Sequence, residues 1–169
     1  MPEYKGGIYN ASVVEAYQKG DKILYKLDFD EDIKTKYGLP HIWAEKENEK
    51  FELQWFGKKA SRLPQAFWLK FKGCDENWEI NKLGRWIKPE DIIDSPLIAA
   101  VDKGIRNSEK SICSLDAVLV APYGRRLLDY DIHPEGKDLY FNLYNNIWNT
   151  NFPMWYSDDT RYRFIISDR

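Results

Sequence analysis

Apolar and polar residues alternate with a period of two in six segments of the chain. Side chains at every second position share one face, which is the pattern of a half-buried β-strand. Clusters of Gly, Asp, Asn and Pro separate the segments and predict turns. The pattern favours an all-β fold, an antiparallel β-sandwich. The apolar faces are Ile23, Tyr25, Leu27 and Phe29; Phe51, Leu53 and Trp55; Phe67, Leu69 and Phe71; Leu115, Ala117, Leu119 and Ala121; Leu139, Phe141 and Leu143; and Tyr162, Phe164 and Ile166.

The segment before Ile23 carries signals for two different structures. Ser12 and Glu15 have the spacing of a helix capping box, and Gly20 is a suitable residue to end a helix. Residues 13–19 also contain two β-branched valines, which favour a strand. Helix and strand therefore both remain open for this segment.

The chain is organised as one unit. It has 169 residues, of which 43% are hydrophobic, and this is enough for the core of one domain but too few for two. It contains no internal repeat, low-complexity tract or linker rich in Gly, Pro or Ser. We predict a single β-sandwich domain over residues 1–169, best supported over residues 51–166. The phenylalanines expected in its core are Phe51, Phe67, Phe71, Phe141 and Phe164.

Charge and composition argue against several classes of protein. The 25 basic and 27 acidic residues give a net charge of -2, unlike a polybasic protein that binds nucleic acid or a membrane surface. No apolar run approaches the roughly 20 residues of a membrane span, and residues 1–10 lack the apolar core of a signal peptide. Cys74 and Cys113 are too few for a disulfide scaffold or a four-cysteine zinc site. We expect a cytoplasmic protein with inert thiols and without a metal or cofactor.

The densest polar and aromatic stretch lies between residues 142 and 155. Aromatic residues make up 15% of the chain, and they favour strands but also line sugar-binding surfaces. Asn side chains carry a donor and an acceptor that match sugar hydroxyls, and Trp faces stack on sugar rings. The same asparagines are typical of an irregular loop in which they bond to nearby backbone. The residues are Asn142, Asn145, Asn146, Asn149 and Asn151, with Trp148 and Trp155.

Two further groups have the residue types for catalysis. Asp158 and Asp159 could bind a metal or act as an acid and base, but a Ser-Asp-Asp-Thr stretch is more typical of a solvated turn. His41 and His133 each lie beside a proline. A sugar epimerase of the mutarotase type needs a His acid and a carboxylate base, whereas isolated loop histidines are usually surface residues.

The stretch from Asn142 to Trp155 reads Asn-Leu-Tyr-Asn-Asn-Ile-Trp-Asn-Thr-Asn-Phe-Pro-Met-Trp. It resembles a motif in the C-terminal β-domain of proteins related to glycoside hydrolase family 38, the α-mannosidase-like enzymes, including an uncharacterised bacterial branch. Residues 161–164, Arg-Tyr-Arg-Phe, match the Arg-x-Arg-Phe strand that follows the motif. Residues 61–71 and 114–122 are similar to two further segments of the branch. These anchors keep the family's order and span about two-thirds of the chain.

The resemblance implies a large β-sandwich of the galactose mutarotase-like kind. The nucleophilic aspartate and the metal-binding residues of that family lie in an N-terminal α/β domain that has no counterpart in this sequence, so its hydrolytic activity is not carried over. Asn149 stands where the family usually has Gly, and Asn tolerates the left-handed backbone region. Val118 stands where the branch usually has Pro, which suits a continuous strand.

The residues and the resemblance together give a working hypothesis. We expect a non-catalytic, carbohydrate-related domain, a stand-alone or truncated relative of a glycosidase C-terminal domain, that binds a glycan or a separate glycosidase catalytic domain. A homo-oligomer is left open, and no nucleic acid or membrane partner is expected. The alternatives are a mutarotase- or epimerase-like enzyme that uses a His and a carboxylate, and a folded gene fragment without a role. The expected binding residues are Asn145, Asn146, Trp148, Asn151, Trp155 and Arg161.

Overall fold

Two antiparallel β-sheets form the core of the computed structural model, which describes residues 7–72, 77–91, 99–101, 104–122, 138–146 and 157–169. The all-β, antiparallel sandwich that the alternation predicts is confirmed. The described strands, in chain order, are β1 (Ser12–Lys19), β2 (Lys22–Asp28), β3 (Ile42–Glu47), β4 (Lys50–Trp55), β5 (Ala66–Phe71), β6 (Glu79–Lys82), β7 (Arg85–Ile87), β8 (Ala99–Ala100), β9 (Ile105–Arg106), β10 (Lys110–Ser114), β11 (Leu119–Pro122), β12 (Leu139–Asn145) and β13 (Thr160–Asp168).

The order of strands brings the two ends of the described chain into one sheet. The larger sheet runs β1-β2-β3-β4-β13-β10-β9-β6-β7, and the smaller runs β5-β12-β11-β8. β1–β2 and β3–β4 are hairpins, whereas β13 comes from the other end of the chain and lies between β4 and β10. Residues 12–19, for which the sequence left both helix and strand open, therefore form a strand at one edge of the larger sheet.

A short helix, α1 (Glu31–Tyr37), connects β2 to β3 and was not predicted. Glu31 and Asp32 place negative charge in its first turn, where the helix dipole favours it. Gly38 ends the helix in the left-handed conformation, with φ of 62°. A 3₁₀ turn, Pro89–Asp91, follows β7.

Aromatic rings hold the two sheets together. Phe164 of β13 contacts Phe71 and Phe141 of the smaller sheet, with ring centroids 6.0 and 5.1 Å apart. Towards one end of the sandwich, Trp55 of β4 contacts Phe67 of β5 at 5.3 Å. The predicted core is confirmed. Phe141 and Phe164 are buried, and the other three predicted phenylalanines, Phe51, Phe67 and Phe71, are partly buried and pack against the core cluster.

The predicted strand over residues 115–121 is wrong in its first half. β10 ends at Ser114 and β11 begins at Leu119. Between them, Ser114 Oγ accepts a hydrogen bond of 2.9 Å from the backbone N–H of Ala117, which closes a turn. The turn is required because β10 belongs to the larger sheet and β11 to the smaller one.

Val118 gives a second correction. It lies outside the strands and is exposed, and its carbonyl oxygen accepts a hydrogen bond of 2.8 Å from the N–H of Val101. The expectation of a continuous strand through this position is therefore wrong, because the chain has only just crossed between the sheets here.

Candidate binding site at one end of the sandwich

Several connections meet at one end of the sandwich. Trp55, the last residue of β4, pairs with Ile42 at the start of β3 and with Thr160 at the start of β13. Asn145, the last residue of β12, pairs with Ala66 at the start of β5. The adjoining connections therefore lie on the same side of the molecule. We call this region the loop end, and it comprises residues 29–41, 56–65, 146 and 157–159.

Asn146 fixes the first flank of the asparagine-rich stretch to the β4–β5 connection. Its Oδ1 accepts a hydrogen bond of 2.6 Å from the N–H of Gln65, and its Nδ2 donates to the carbonyls of Ser61 and Leu63 at 3.1 Å each. Its backbone N–H donates to the carbonyl of Gln65. The side chain is buried, so the structure gives it an internal anchoring role. Binding of a ligand by this residue stays a prediction.

Asp159 fixes the second flank of the same stretch to the same connection. Its Oδ1 accepts a hydrogen bond of 2.5 Å from the N–H of Gly57, two residues after β4 ends. Gly57 has a φ of 67°, a conformation that glycine adopts without strain. The chain therefore leaves β12 and enters β13 beside one short connection, residues 56–65.

Lys58 is a buried lysine in this connection. Lys58 is only 2% exposed, and its Nζ donates a hydrogen bond of 3.0 Å to the carbonyl oxygen of Lys59. The ammonium lies 4.6 Å from the ring centroid of Tyr144 and 5.8 Å from that of Phe67. Burial lowers the pKa of Lys58 from an ordinary 10.5 to about 8. No carboxylate of the described residues forms an ion pair with it.

Two other buried polar side chains lie at the two ends of this connection, Trp55 just before it and Gln65 as its last residue. Within the part of the chain that the structure describes, Trp55 Nε1 and Gln65 Oε1 have no hydrogen-bond partner. The amide nitrogen of Gln65 donates to the carbonyl of Tyr37 at 3.4 Å, which ties α1 to the same connection. Hydrogen bonds therefore connect the segments of the loop end to one another. A buried donor beside the loop end, Trp55 Nε1, and a buried acceptor within it, Gln65 Oε1, have no partner among the described residues.

Arg161 lies on the outer face of β13, next to the loop end. Its guanidinium pairs with Glu52 at 2.5 Å and its side chain is 59% exposed, so it remains accessible. Arg163, two residues further along the same face, is bound by both oxygens of Asp116 at 2.8 and 2.9 Å. This arginine holds the pKa of Asp116 below its ordinary value. Of the two, Arg161 lies nearer the loop end, and its guanidinium extends to Glu52, which is the residue of β4 that pairs in register with Arg163.

The other predicted binding residues divide into two groups. Asn145 is partly buried at the end of β12 and pairs with Ala66. Trp148, Asn151 and Trp155 lie outside the described residues. Of the six predicted residues, the structure therefore brings three to the loop end or its border, Asn145, Asn146 and Arg161.

His41, in the connection between β2 and β3, contacts one carboxylate. Its Nδ1 lies 2.9 Å from Asp28 Oδ2, and its side chain is 53% exposed. Partial burial alone would raise the pKa of Asp28, but hydrogen bonds from Lys34 Nζ and the N–H of Phe29 hold that pKa below its ordinary value. An ionised carboxylate thus faces one imidazole nitrogen. His133 lies outside the described residues.

The remaining candidate groups are exposed or unassembled. Asp158 and Asp159 are exposed, and among the described residues no three His, Cys, Asp or Glu are grouped so as to hold a metal ion. Cys113 is a free thiol on β10, and Cys74 lies outside the described residues.

Sequence reasoning missed Lys58, Gln65 and the Asp28–His41 pair. A Gly-Lys-Lys run reads as a solvated turn, because the burial of Lys58 depends on Tyr144, which is distant in sequence. Asp28 and His41 are separated by α1, which the sequence pattern did not predict. Asn146, in contrast to these missed residues, has a local signal in the sequence, since Asn side chains often satisfy backbone groups in loops.

Comparison of the chain with protein-family models, with curated proteins and with solved structures finds no match. In the described part of the chain, no helix has the length and apolar character needed to cross a membrane.

Replacing Asn146 tests its anchoring role. Asn146→Ala leaves one N–H and two carbonyls of the 61–65 segment without their partner, so we expect the free energy of unfolding to fall by about 2–4 kcal/mol. Asn146→Asp keeps the acceptor but places a negative charge beside two carbonyls, and it should cost at least as much at pH 7. Urea denaturation measures both. A loss under about 1 kcal/mol for both variants would contradict the anchor.

Replacing Lys58 by Met tests the consequence of its burial. Because the pKa of Lys58 is about 8 in the folded chain and 10.5 in its ordinary state, the unfolded chain binds more protons between these values. The wild type should therefore gain stability relative to Lys58→Met as pH rises from about 8 to about 10.5, by up to roughly 3 kcal/mol. Denaturant midpoints of both chains across this range give the difference. Parallel pH profiles would show that Lys58 is not held in a low-pKa environment.

Proposed function

We propose that this chain is a non-catalytic, carbohydrate-related β-sandwich domain that binds a glycan, or a separate glycosidase catalytic domain, through the loop end. The resemblance of residues 142–155 and 161–164 to the C-terminal β-domain of α-mannosidase-like proteins supports the class of function. The confirmed antiparallel sandwich agrees with that resemblance. In this proposal the fold is related to the galactose mutarotase-like sandwiches, and the chain is a stand-alone or truncated relative.

One observation carries the proposal. Both flanks of the asparagine-tryptophan stretch are hydrogen-bonded to the same connection, Asn146 to residues 61–65 and Asp159 to Gly57. The described residues on either side of the stretch that has the residue types for sugar recognition are thus hydrogen-bonded to one connection, residues 56–65. A binding segment whose ends are fixed loses less conformational entropy when it binds.

The groups available at this base suit a ligand rich in hydroxyls. Arg161 has five N–H donors, of which the Glu52 carboxylate uses only part. Asn145 lies partly buried at the end of β12, next to Asn146. Two buried polar atoms of the same region, Trp55 Nε1 and Gln65 Oε1, have no hydrogen-bond partner among the described residues.

Glycan binding separates Arg161 from Arg163. We expect Arg161→Ala to weaken binding of a glycan selected on an array by about tenfold, or 1.4 kcal/mol, because a charge-assisted hydrogen bond is lost. Trp148→Ala should remove most of the affinity, because a ring that stacks on the sugar is lost. Isothermal titration calorimetry measures both. Arg163→Ala is the matched control, since it lies on the same strand and also pairs with a carboxylate, and it should bind like the wild type.

The partner form of the proposal is tested with the same variants. The chain is mixed with an α-mannosidase-like catalytic domain, and complex formation is followed by sedimentation. A complex that weakens with Arg161→Ala but not with Arg163→Ala supports a protein partner at the loop end. The absence of both glycan binding and a complex would overturn the proposal.

A sugar epimerase is the second candidate, and the His41–Asp28 contact of 2.9 Å is what favours it. Asp28 would hold the imidazole through Nδ1, which leaves Nε2 of an exposed ring to exchange a proton with a substrate. Asp28 also accepts hydrogen bonds from Lys34 and Phe29, so its position is fixed.

Mutarotation tests this candidate, because it requires a proton to leave the anomeric hydroxyl and another to reach the ring oxygen as the sugar ring opens. If the second candidate holds, mutarotation of aldohexoses, followed by polarimetry, should be accelerated by the wild type and fall at least 100-fold with His41→Ala. His41→Gln keeps a polar side chain without a proton to exchange and should be equally inactive. Rates equal to those in buffer for all three chains would eliminate the epimerase and leave the binding domain.

A further inference from the structure

β1 is a long edge strand with a free side. All eight of its residues, Ser12–Lys19, are exposed, and β2 is its one neighbour among the described strands. The opposite edge of the same sheet, β7, has three residues. A strand with unpaired N–H and carbonyl groups accepts another strand readily unless charge, proline or irregular geometry prevents it. The centre of β1 has no proline, and its one charged residue is Glu15.

Apolar side chains accompany this free side. Val13, Val14 and Tyr17 on β1 are each more than half exposed. Ile8, shortly before the strand, is 68% exposed. An edge that combines unpaired backbone with exposed apolar side chains is typical of an interaction surface.

The regular part of the strand is residues 15–19, because the register with β2 shifts between Val13 and Glu15. From Glu15 onward, alternate residues share a face, so Glu15, Tyr17 and Lys19 point to the same side. The contact of Lys26 Nζ with Glu15 Oε1 at 2.8 Å confirms that Glu15 lies on the side of Lys26. The outer face of this half-strand thus carries one acid, one aromatic ring and one base in order.

This order is complementary to itself. Two antiparallel copies related by a two-fold axis at Tyr17 place Glu15 opposite Lys19 of the other copy, twice, and Tyr17 opposite its own counterpart. A two-fold axis at Glu15 or at Lys19 would instead oppose like charges, which is unfavourable. Among the registers centred on a residue of this face, charge therefore favours the one centred on Tyr17.

We propose that two copies of this chain associate through antiparallel pairing of β1 with β1, centred on Tyr17, to give one continuous sheet across the dimer. Glu15 already binds Lys26 and the hydroxyl of Tyr17, but a carboxylate has room for a further donor. Lys19 forms no ion pair with another described residue, so its ammonium is available to the other copy. The association does not depend on the function of the loop end.

Charge reversal at Lys19 tests the register. Sedimentation velocity should show a dimer for the wild type, and Lys19→Glu, which opposes Glu15 with another acid twice, should raise the dimer dissociation constant at least tenfold. Lys46→Glu on β3 is the matched control, because Lys46 is also exposed and lies on a strand two places away from the edge. It should sediment like the wild type. Circular dichroism and urea midpoints check that both variants fold.

Cross-linking tests the same register without altering a charge. Tyr17→Cys should be joined into a covalent dimer by a short bis-maleimide, because two copies of position 17 face each other. Val13→Cys should not, because position 13 lies beyond the paired segment. A wild type that stays monomeric at all concentrations overturns the proposal. So does a dimer that Lys19→Glu leaves unchanged and that Val13→Cys cross-links as fast as Tyr17→Cys, since its interface would then be another surface.

Discussion

The contact of Phe164 with Phe71 and Phe141 is the interaction on which the rest of the structure depends. β13 carries Phe164 and lies between β4 and β10, so it joins the β1–β4 strands to the remainder of the larger sheet. Phe141 belongs to β12, which pairs with both β5 and β11 in the smaller sheet. One aromatic cluster thus connects the central strands of both sheets. Loss of a ring here would cost several kcal/mol and would affect both layers at once.

The position of the loop end is set by this core. Trp55 and Phe67 continue the line of rings towards the loops, and the next residues are the connection that carries Lys58 and Gln65. The ammonium of Lys58 lies over the rings of Tyr144 and Phe67, so this buried cation contacts aromatic side chains of the smaller sheet. The described residues of the loop end therefore lie directly against the end of the hydrophobic core and do not form a separate structure.

Alternation in the sequence was sufficient for the fold class, because β2, β4, β5 and β13 each have one apolar face. β12 alternates in the same way but is buried on both faces. Alternation failed where the chain changes sheets, since the residues from 115 to 118 keep a period of two through a turn that Ser114 closes. It also missed α1, which has seven residues and no long apolar periodicity. Of the candidate site, Asn145 and Asn146 were predicted from residue type and Arg161 from its place beside the asparagine-rich stretch, whereas the burial of Lys58 depends on contacts with residues distant in sequence.

The neighbouring residues Asn145 and Asn146 show why residue type alone gave two interpretations of the asparagine-rich stretch. Asn146 satisfies three backbone groups of residues 61–65, which is the behaviour of a loop asparagine. In the proposed function that role does not compete with recognition, because a buried amide that fixes the start of the stretch would lower the entropy lost by the residues that follow it on binding. The structural and the binding interpretations therefore apply to different residues of one segment. A variant of Asn146 should weaken binding through the position of its neighbours, and a variant of Arg161 should weaken it by direct contact with the fold intact.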